Sequence, residues 1–137
     1  MKKEKISFII GLFIAFMITT GLSSCQKSLE ERAKEEARNF TERLCPTPVV
    51  NFSRTDSMTF DSSTKTFVNH CTLTDKMDNQ ELINDNKQKL HDEFKKAITE
   101  STNLKIYKDA GFKFRYILRS ESNPQKVLFD DTFSVEN

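Results

Sequence analysis

The segment Phe112-Lys113-Phe114-Arg115-Tyr116-Ile117-Leu118-Arg119 alternates large apolar side chains with mostly cationic ones. Alternation over eight residues predicts a β-strand, in which successive side chains point to opposite faces of a sheet. The aromatic face requires a covering layer, whereas the face with the charges is expected to meet solvent. This strand therefore predicts an antiparallel sheet that is packed on one side only.

Three further segments have strand character. Residues 49–60 and 64–73 are joined by the polar turn Asp61-Ser62-Ser63, which predicts a hairpin, and the first of them loses its regularity around residues 55–57. Residues 127–135 again alternate, after a turn at 120–125. The short apolar run 104–107 is interpreted as a fifth strand. Twelve phenylalanines and no tryptophan indicate a core built from phenylalanine.

Two segments have the periodicity of amphipathic helices. Residues 28–44 place apolar side chains on one face, and residues 78 to about 101 do the same. Each begins with a capping-box pattern, Ser28 with Glu31 and Asp78 with Glu81. The predicted order is α-β-β-α-β-β(-β), an α+β fold with two helices on one face of a four- to five-stranded antiparallel sheet. The order repeats in residues 28–75 and 80–136, so a loose duplication is an open alternative.

The amino terminus has the pattern of an export signal. Lysines at positions 2, 3 and 5 precede 17 uncharged residues, 6–22, and the run ends at Leu22-Ser23-Ser24-Cys25. An apolar residue, two small residues and a cysteine resemble the lipobox of bacterial lipoproteins. The resemblance implies cleavage before Cys25 and its acylation by fatty chains such as palmitate, which would hold the protein on a lipid bilayer. An uncleaved membrane helix is the alternative.

This reading divides the chain into a signal peptide, 1–24, a lipidated tether, 25–27, and a single α+β domain, 28–137. Loss of residues 1–24 removes three lysines and one glutamate, so the net charge changes from +1 to −1. A near-neutral domain lacks the concentrated basic surface that nucleic-acid binding requires. Within the lipoprotein resemblance, Gln26 in place of aspartate implies the outer membrane of the cell envelope, with the leaflet left open.

Cys45 and Cys71 are the cysteines that remain in the mature domain, and two spare thiols in an exported protein predict a disulfide. Two buried free thiols are the alternative. A cysteine nucleophile with His70 or His91, or a zinc site from these four residues, lacks any recognisable spacing. The sequence therefore predicts no catalytic residue, cofactor or metal, and no enzyme.

Two surface features suggest contacts with other molecules. Asp56-Ser57-Met58 resembles the O-glycosylation acceptor used by some Bacteroidota, with Ser57 as the modified residue. The polar row of the central strand could contact an acidic polymer or protein. This row consists of Lys113, Arg115, Ile117 and Arg119. Two functions follow: a non-catalytic binding module for an envelope protein or glycan, or an inhibitor or immunity lipoprotein that blocks a toxin or hydrolase.

Overall fold

The structure is a computed structural model that describes residues 27–136. The predicted signal peptide and the lipidation site Cys25 lie outside the described residues. Within that range the chain forms four α-helices, a short 3₁₀ helix at Asp75–Met77 and four strands. The helices are α1 (Leu29–Leu44), α2 (Gln80–Asp85), α3 (Lys87–Glu100) and α4 (Lys105–Asp109), and the strands are β1 (Ser53–Asp61), β2 (Thr66–Leu73), β3 (Lys113–Ser120) and β4 (Val127–Ser134). No helix of these residues is long and apolar enough to cross a membrane.

The four strands form one sheet in the order β1-β2-β3-β4. The α+β class is confirmed, but the fully antiparallel sheet is wrong, because β2 and β3 run parallel while the two outer pairs are antiparallel. The cause is the connection between β2 and β3. It is a long crossover that contains α2, α3 and α4, and a crossover of this length can return the chain to the start of a parallel strand.

The predicted second helix is interrupted, so the expected order of elements is also wrong. Asn86 has non-helical backbone angles between α2 and α3, and its side-chain Nδ2 donates to the carbonyl of Leu82 at 2.7 Å. Asparagine competes for backbone groups in this way, which disfavours it inside helices. The cap of α2 is Asn79, and the carboxylate of Asp78 accepts instead from Ser122, 2.9 Å from its backbone nitrogen.

The predicted fifth strand is the helix α4. Its residues Tyr107 and Lys108 are both buried. Two successive buried side chains are incompatible with a strand that has only one covered face. The chain then turns into β3 through Gly111, whose φ of 77° favours glycine.

The first helix, the hairpin and the irregularity in β1 are confirmed. Ser28 and Glu31 form the predicted capping box of α1, and the register between β1 and β2 shifts between Thr55 and Ser57. The helices cover one face of the sheet, which we call the helix face, and the core lies between these two layers. Phenylalanine dominates it, as predicted. Its buried phenylalanines are Phe67, Phe94, Phe112, Phe114, Phe129 and Phe133.

Candidate functional site

The opposite side of the sheet carries the polar row that the sequence singles out. In β3, Phe114, Tyr116 and Leu118 belong to the core. The residues between them point to the other side, which we call the open face. Ile117 is only 6% exposed yet lies outside the core cluster. The predicted row therefore lies on a sheet face without a covering helix.

Arg115 forms a two-pronged ion pair with the neighbouring strand. Its Nε and Nη2 donate to the two carboxylate oxygens of Asp130 at 2.8 and 2.6 Å. This bond lowers the pKa of Asp130, so the carboxylate stays charged. The pair offsets the charge of Arg115 and fixes the direction of its side chain.

Arg119 has a different partner. Its Nη1 lies 3.2 Å from Nδ1 of His70 on β2. Because a guanidinium can only donate, the imidazole accepts at Nδ1 and carries its hydrogen on Nε2. Burial, followed by the charges of Arg119 and Arg115, lowers the pKa of His70 and favours this neutral form. Among the described residues, no carboxylate lies within 4.0 Å of Arg119.

A second polar cluster lies beside this pair, where β1 bulges. Asp56 accepts from Nε of Arg54 at 2.8 Å and from the hydroxyl of Thr72 at 2.5 Å. Arg54 also reaches Glu121 at 3.4 Å. Thr72 is paired in register with both Arg54 on β1 and Arg119 on β3. The open face is thus a surface of mixed charge, with Arg119 near the carboxyl end of β3.

The other predicted site residues lie in several places. Lys113 is exposed at the start of β3, and Ser57 is half-buried within β1, paired with His70 rather than located in a loop. Cys45 is the residue that ends α1, and Cys71 is 1% exposed on the helix face. Both are free thiols in this structure, so the disulfide remains a prediction.

The two thiols are poor nucleophiles in this arrangement. Burial raises the pKa of Cys71, and burial together with the charge of Asp56 raises the pKa of Cys45. His91 lies elsewhere, on α3, with Nδ1 2.5 Å from Asp131. The structure therefore does not bring the two histidines and two cysteines together.

The partners of Arg115 and Arg119 were not predicted from the sequence. His70 and Asp130 belong to other strands, and only the register places them beside Arg119 and Arg115. Alternation within β2 is a weak signal for the position of His70, since it places the imidazole on the side of the strand opposite Cys71. Local patterns contain no information on which strands are neighbours.

The described residues thus form a two-layer α+β domain in which the helices leave one sheet face uncovered. The chain belongs to the family described as a domain of unknown function, DUF8479, whose sequence model matches residues 28–129. A comparison with curated proteins gave no match.

Two solved structures share the fold. A crystal structure of a protein from Pseudomonas aeruginosa that is described as secreted has a TM-score of 0.61 and 11% identity, over 79% of this chain and 95% of that chain. The pilotin EpsS from the type 2 secretion system of Vibrio vulnificus has a TM-score of 0.57 and 13% identity, over 77% and 86%. At these identities the similarity is one of fold.

Proposed function

We propose that this chain is a lipid-anchored protein of the bacterial outer membrane that acts as a non-catalytic binding module, with the open face in contact with an envelope protein or glycan. The observation that carries the proposal is the bonding partner of Arg119. Its charge lies near the carboxyl end of β3 on the uncovered sheet face, bonded to a neutral histidine rather than to a carboxylate. Such a cation can bind an anionic group of a partner.

The surroundings of Arg119 support the same role. The Arg115–Asp130 pair holds a second guanidinium in place, and Lys113 is exposed farther along β3. The nearly buried Ile117 separates Arg115 from Arg119. Ordered charges around an apolar centre are typical of surfaces that bind protein, because few side chains need to be immobilised on association.

The fold of the neighbours is compatible with an envelope location. One is described as secreted and the other is a pilotin of a secretion system. The lipobox resemblance at Cys25 supplies the anchor, and Lys27 lies directly before the capped start of α1. A domain held this closely would present its open face near the membrane surface to proteins or glycans anchored there.

The test is capture of partners from native membranes by the intact lipidated protein, after chemical cross-linking. The informative variant is Lys113→Glu with Arg119→Glu, because neither side chain is paired with a carboxylate of the described residues. Arg115 is left unchanged, since a glutamate there would face Asp130 and disturb the sheet. The matched control is Lys34→Glu with Arg38→Glu, which makes the same change of charge on the exposed side of α1.

We expect a specific partner to be recovered with the wild-type protein and with the α1 control, and lost with the open-face variant. Equal recovery with all three proteins would exclude the open face as the binding surface. Circular dichroism and thermal unfolding establish that the variants are folded.

A second candidate, an inhibitor or immunity lipoprotein, is favoured by one observation. Exposed apolar side chains lie at the last residue of α1, Leu44, and in the segment after it, at Val49 and Val50. An inhibitor commonly inserts such a segment into a pocket of its target. Val49→Ser with Val50→Ser should then abolish protection of the cell against the toxin or hydrolase. The open-face variant should still protect the cell.

A further inference from the structure

The two outer strands of the sheet differ in how their free edges are bonded. On β1, the backbone N–H and C=O of Ser53 bond to Val50 at 3.1 and 2.9 Å. Thr55 bonds to the backbone N–H and side-chain hydroxyl of Thr47 at 3.0 and 2.9 Å. The hydroxyl of Thr41 on α1 bonds both backbone groups of Met58 at 2.8 Å. The chain therefore covers this edge itself.

The direction in which the backbone N–H and C=O groups of β4 point follows from the hydrogen bonds of β3. Lys113 N–H donates to Lys65 at 2.9 Å and Glu121 N–H donates to Leu73 at 3.1 Å, so odd-numbered residues of β3 bond toward β2. Even-numbered residues must then bond toward β4, because successive backbone groups point to opposite sides of a strand. Phe114, Tyr116 and Leu118 have register partners in β4. These partners are Phe133, Asp131 and Phe129.

It follows that Asp130, Thr132 and Ser134 point their N–H and C=O groups away from the sheet. All three residues are exposed, and within residues 27–136 no other backbone group bonds to them. The N–H of Thr132 donates only to the side chain of Asp131, at 2.9 Å. We call these three residues the β4 edge. An edge of this kind can pair with a further strand.

Charges beside the β4 edge indicate what charge a partner strand should carry. His91 on α3 contacts Asp131, which brings this side of α3 close to the edge. Lys87 and Lys95 lie one turn before and after His91 on the same side of the helix, and both are exposed. Among the described residues, no carboxylate lies within 4.0 Å of either ammonium.

The distance between Lys87 and Lys95 on α3 agrees with the spacing of side chains along a bound strand. Eight residues of helix separate Lys87 from Lys95 and span about 12 Å. Strand residues four positions apart are separated by about 13 Å and point to the same face. Two acidic side chains at that spacing could each approach one lysine.

We propose that the β4 edge binds an extended segment of another polypeptide as a fifth strand, with acidic side chains on the face toward α3. This inference rests on the proposed function and specifies the chemistry of one partner. A second copy of the chain is the competing occupant, and the dimer test below distinguishes it from another polypeptide.

The probe is the end-blocked peptide EVTVEVTVE, which alternates as a strand does and carries glutamates four residues apart. Its control is KVTVKVTVK. Binding to the ¹⁵N-labelled domain is followed by backbone amide shifts. We expect the acidic peptide to shift the amides of Asp130 and Ser134, and the basic control to bind at least about tenfold more weakly.

Substitutions at one position separate backbone pairing from other contacts. Thr132→Pro removes an outward N–H and should weaken binding at least about tenfold, whereas Thr132→Ala keeps the N–H and should bind as the wild type does. If Thr132→Pro does not fold, a probe N-methylated on the amides that would face β4 tests the same bonds. Lys87→Glu with Lys95→Glu should reverse the preference between the two peptides.

Shifts confined to the open face, equal binding by Thr132→Pro, or equal binding of the methylated probe would overturn the inference. A dimer that Thr132→Pro converts to a monomer would also overturn it and assign the edge to a second copy. Failure here leaves the proposed function standing if the Lys113→Glu, Arg119→Glu variant loses its membrane partner. Failure of both experiments would remove both proposals.

Discussion

Tyr107 on α4 donates its hydroxyl hydrogen to a carboxylate oxygen of Glu36 on α1, at 2.6 Å, and so links two helices far apart in sequence. Tyr107 is buried and its ring also packs on Phe67 at 4.9 Å. Burial raises the pKa of Glu36, which shows that the carboxylate gives up part of its hydration to reach this position. The bond compensates for that loss.

Tyr107→Phe should therefore lower the free energy of unfolding by about 2 kcal/mol, since it leaves a half-buried carboxylate without its donor. Urea denaturation measures the effect. Glu36→Gln keeps an acceptor oxygen and should cost clearly less. A loss below about 0.5 kcal/mol in Tyr107→Phe would mean that water replaces the hydroxyl without penalty.

Lys108 holds the carboxyl end of α3. Its ammonium donates to the carbonyls of Ile98, Thr99 and Ser101 at 2.9, 2.7 and 2.7 Å, and the residue is 8% exposed. Lys108→Met should cost about 3 kcal/mol, because three carbonyls lose a charged donor. The neighbouring Lys105→Met removes only an exposed ion pair with Asp109 and should cost less than about 0.5 kcal/mol. Similar losses in the two variants would contradict this role for Lys108.

The pairing of His70 with Arg119 makes stability depend on pH. The pKa of His70 is lowered in the folded protein, by burial first and then by the two arginine charges, while the unfolded value is about 6.5. Between these values the unfolded chain binds more protons. The stability that neutral His70 contributes is therefore complete above about pH 6.5. It is lost as the pH falls toward the pKa of His70 in the folded protein.

His70→Asn keeps an acceptor for Arg119 but cannot titrate in this range. The free energy of unfolding of the wild-type protein should decline more steeply than that of His70→Asn between about pH 7.5 and about pH 5.5. Nuclear magnetic resonance titration of the imidazole should give a midpoint below about 6.5. A midpoint at or above that value, with parallel declines, would mean that the imidazole is not held neutral by its neighbours.

The proposed export of the protein gives a prediction for the two thiols of the domain. We expect Cys45 and Cys71 to be joined when the protein is recovered from its own compartment, where disulfides persist. Closing a loop of about 25 residues would stabilise the domain by roughly 3 kcal/mol. Non-reducing peptide mapping detects the bond.

Single substitutions provide the control for this pair. If the bond exists, Cys45→Ser and Cys71→Ser should destabilise the oxidised protein by similar amounts, because each breaks the same link. If the thiols are independent, the buried Cys71 should matter far more than the partly exposed Cys45.

The parts of the fold that were predictable are those encoded by local periodicity. The stripe on residues 28–44 and the alternation in residues 112–119 identified α1 and β3, because burial of one face imposes a period on the sequence. The parallel contact of β2 with β3 was not predictable, since the direction of a strand depends on its connection. The prediction of a strand at residues 104–107 was wrong for another reason. A short apolar run fits a strand or a buried helix equally well.

The candidate site likewise has features that local periodicity predicts and features that it does not. The side of β3 that carries Arg115 and Arg119 follows from alternation, and the structure places it on the open face. The bond to His70 depends on which strand lies next to β3, and the β4 edge depends on which strand is last. Both properties belong to the assembled sheet, and no single segment contains them.

We propose that a lipid-modified Cys25 holds this domain on a membrane, and the envelope function depends on that anchor. The most direct measurement is the intact mass of the protein extracted from the membranes of its own cells, together with the sequence of its first peptide. We expect a chain that begins at Cys25 and carries a diacylglyceryl group with a further acyl chain. A chain that still begins at Met1, or a Cys25 with an unmodified sulfur, would contradict it.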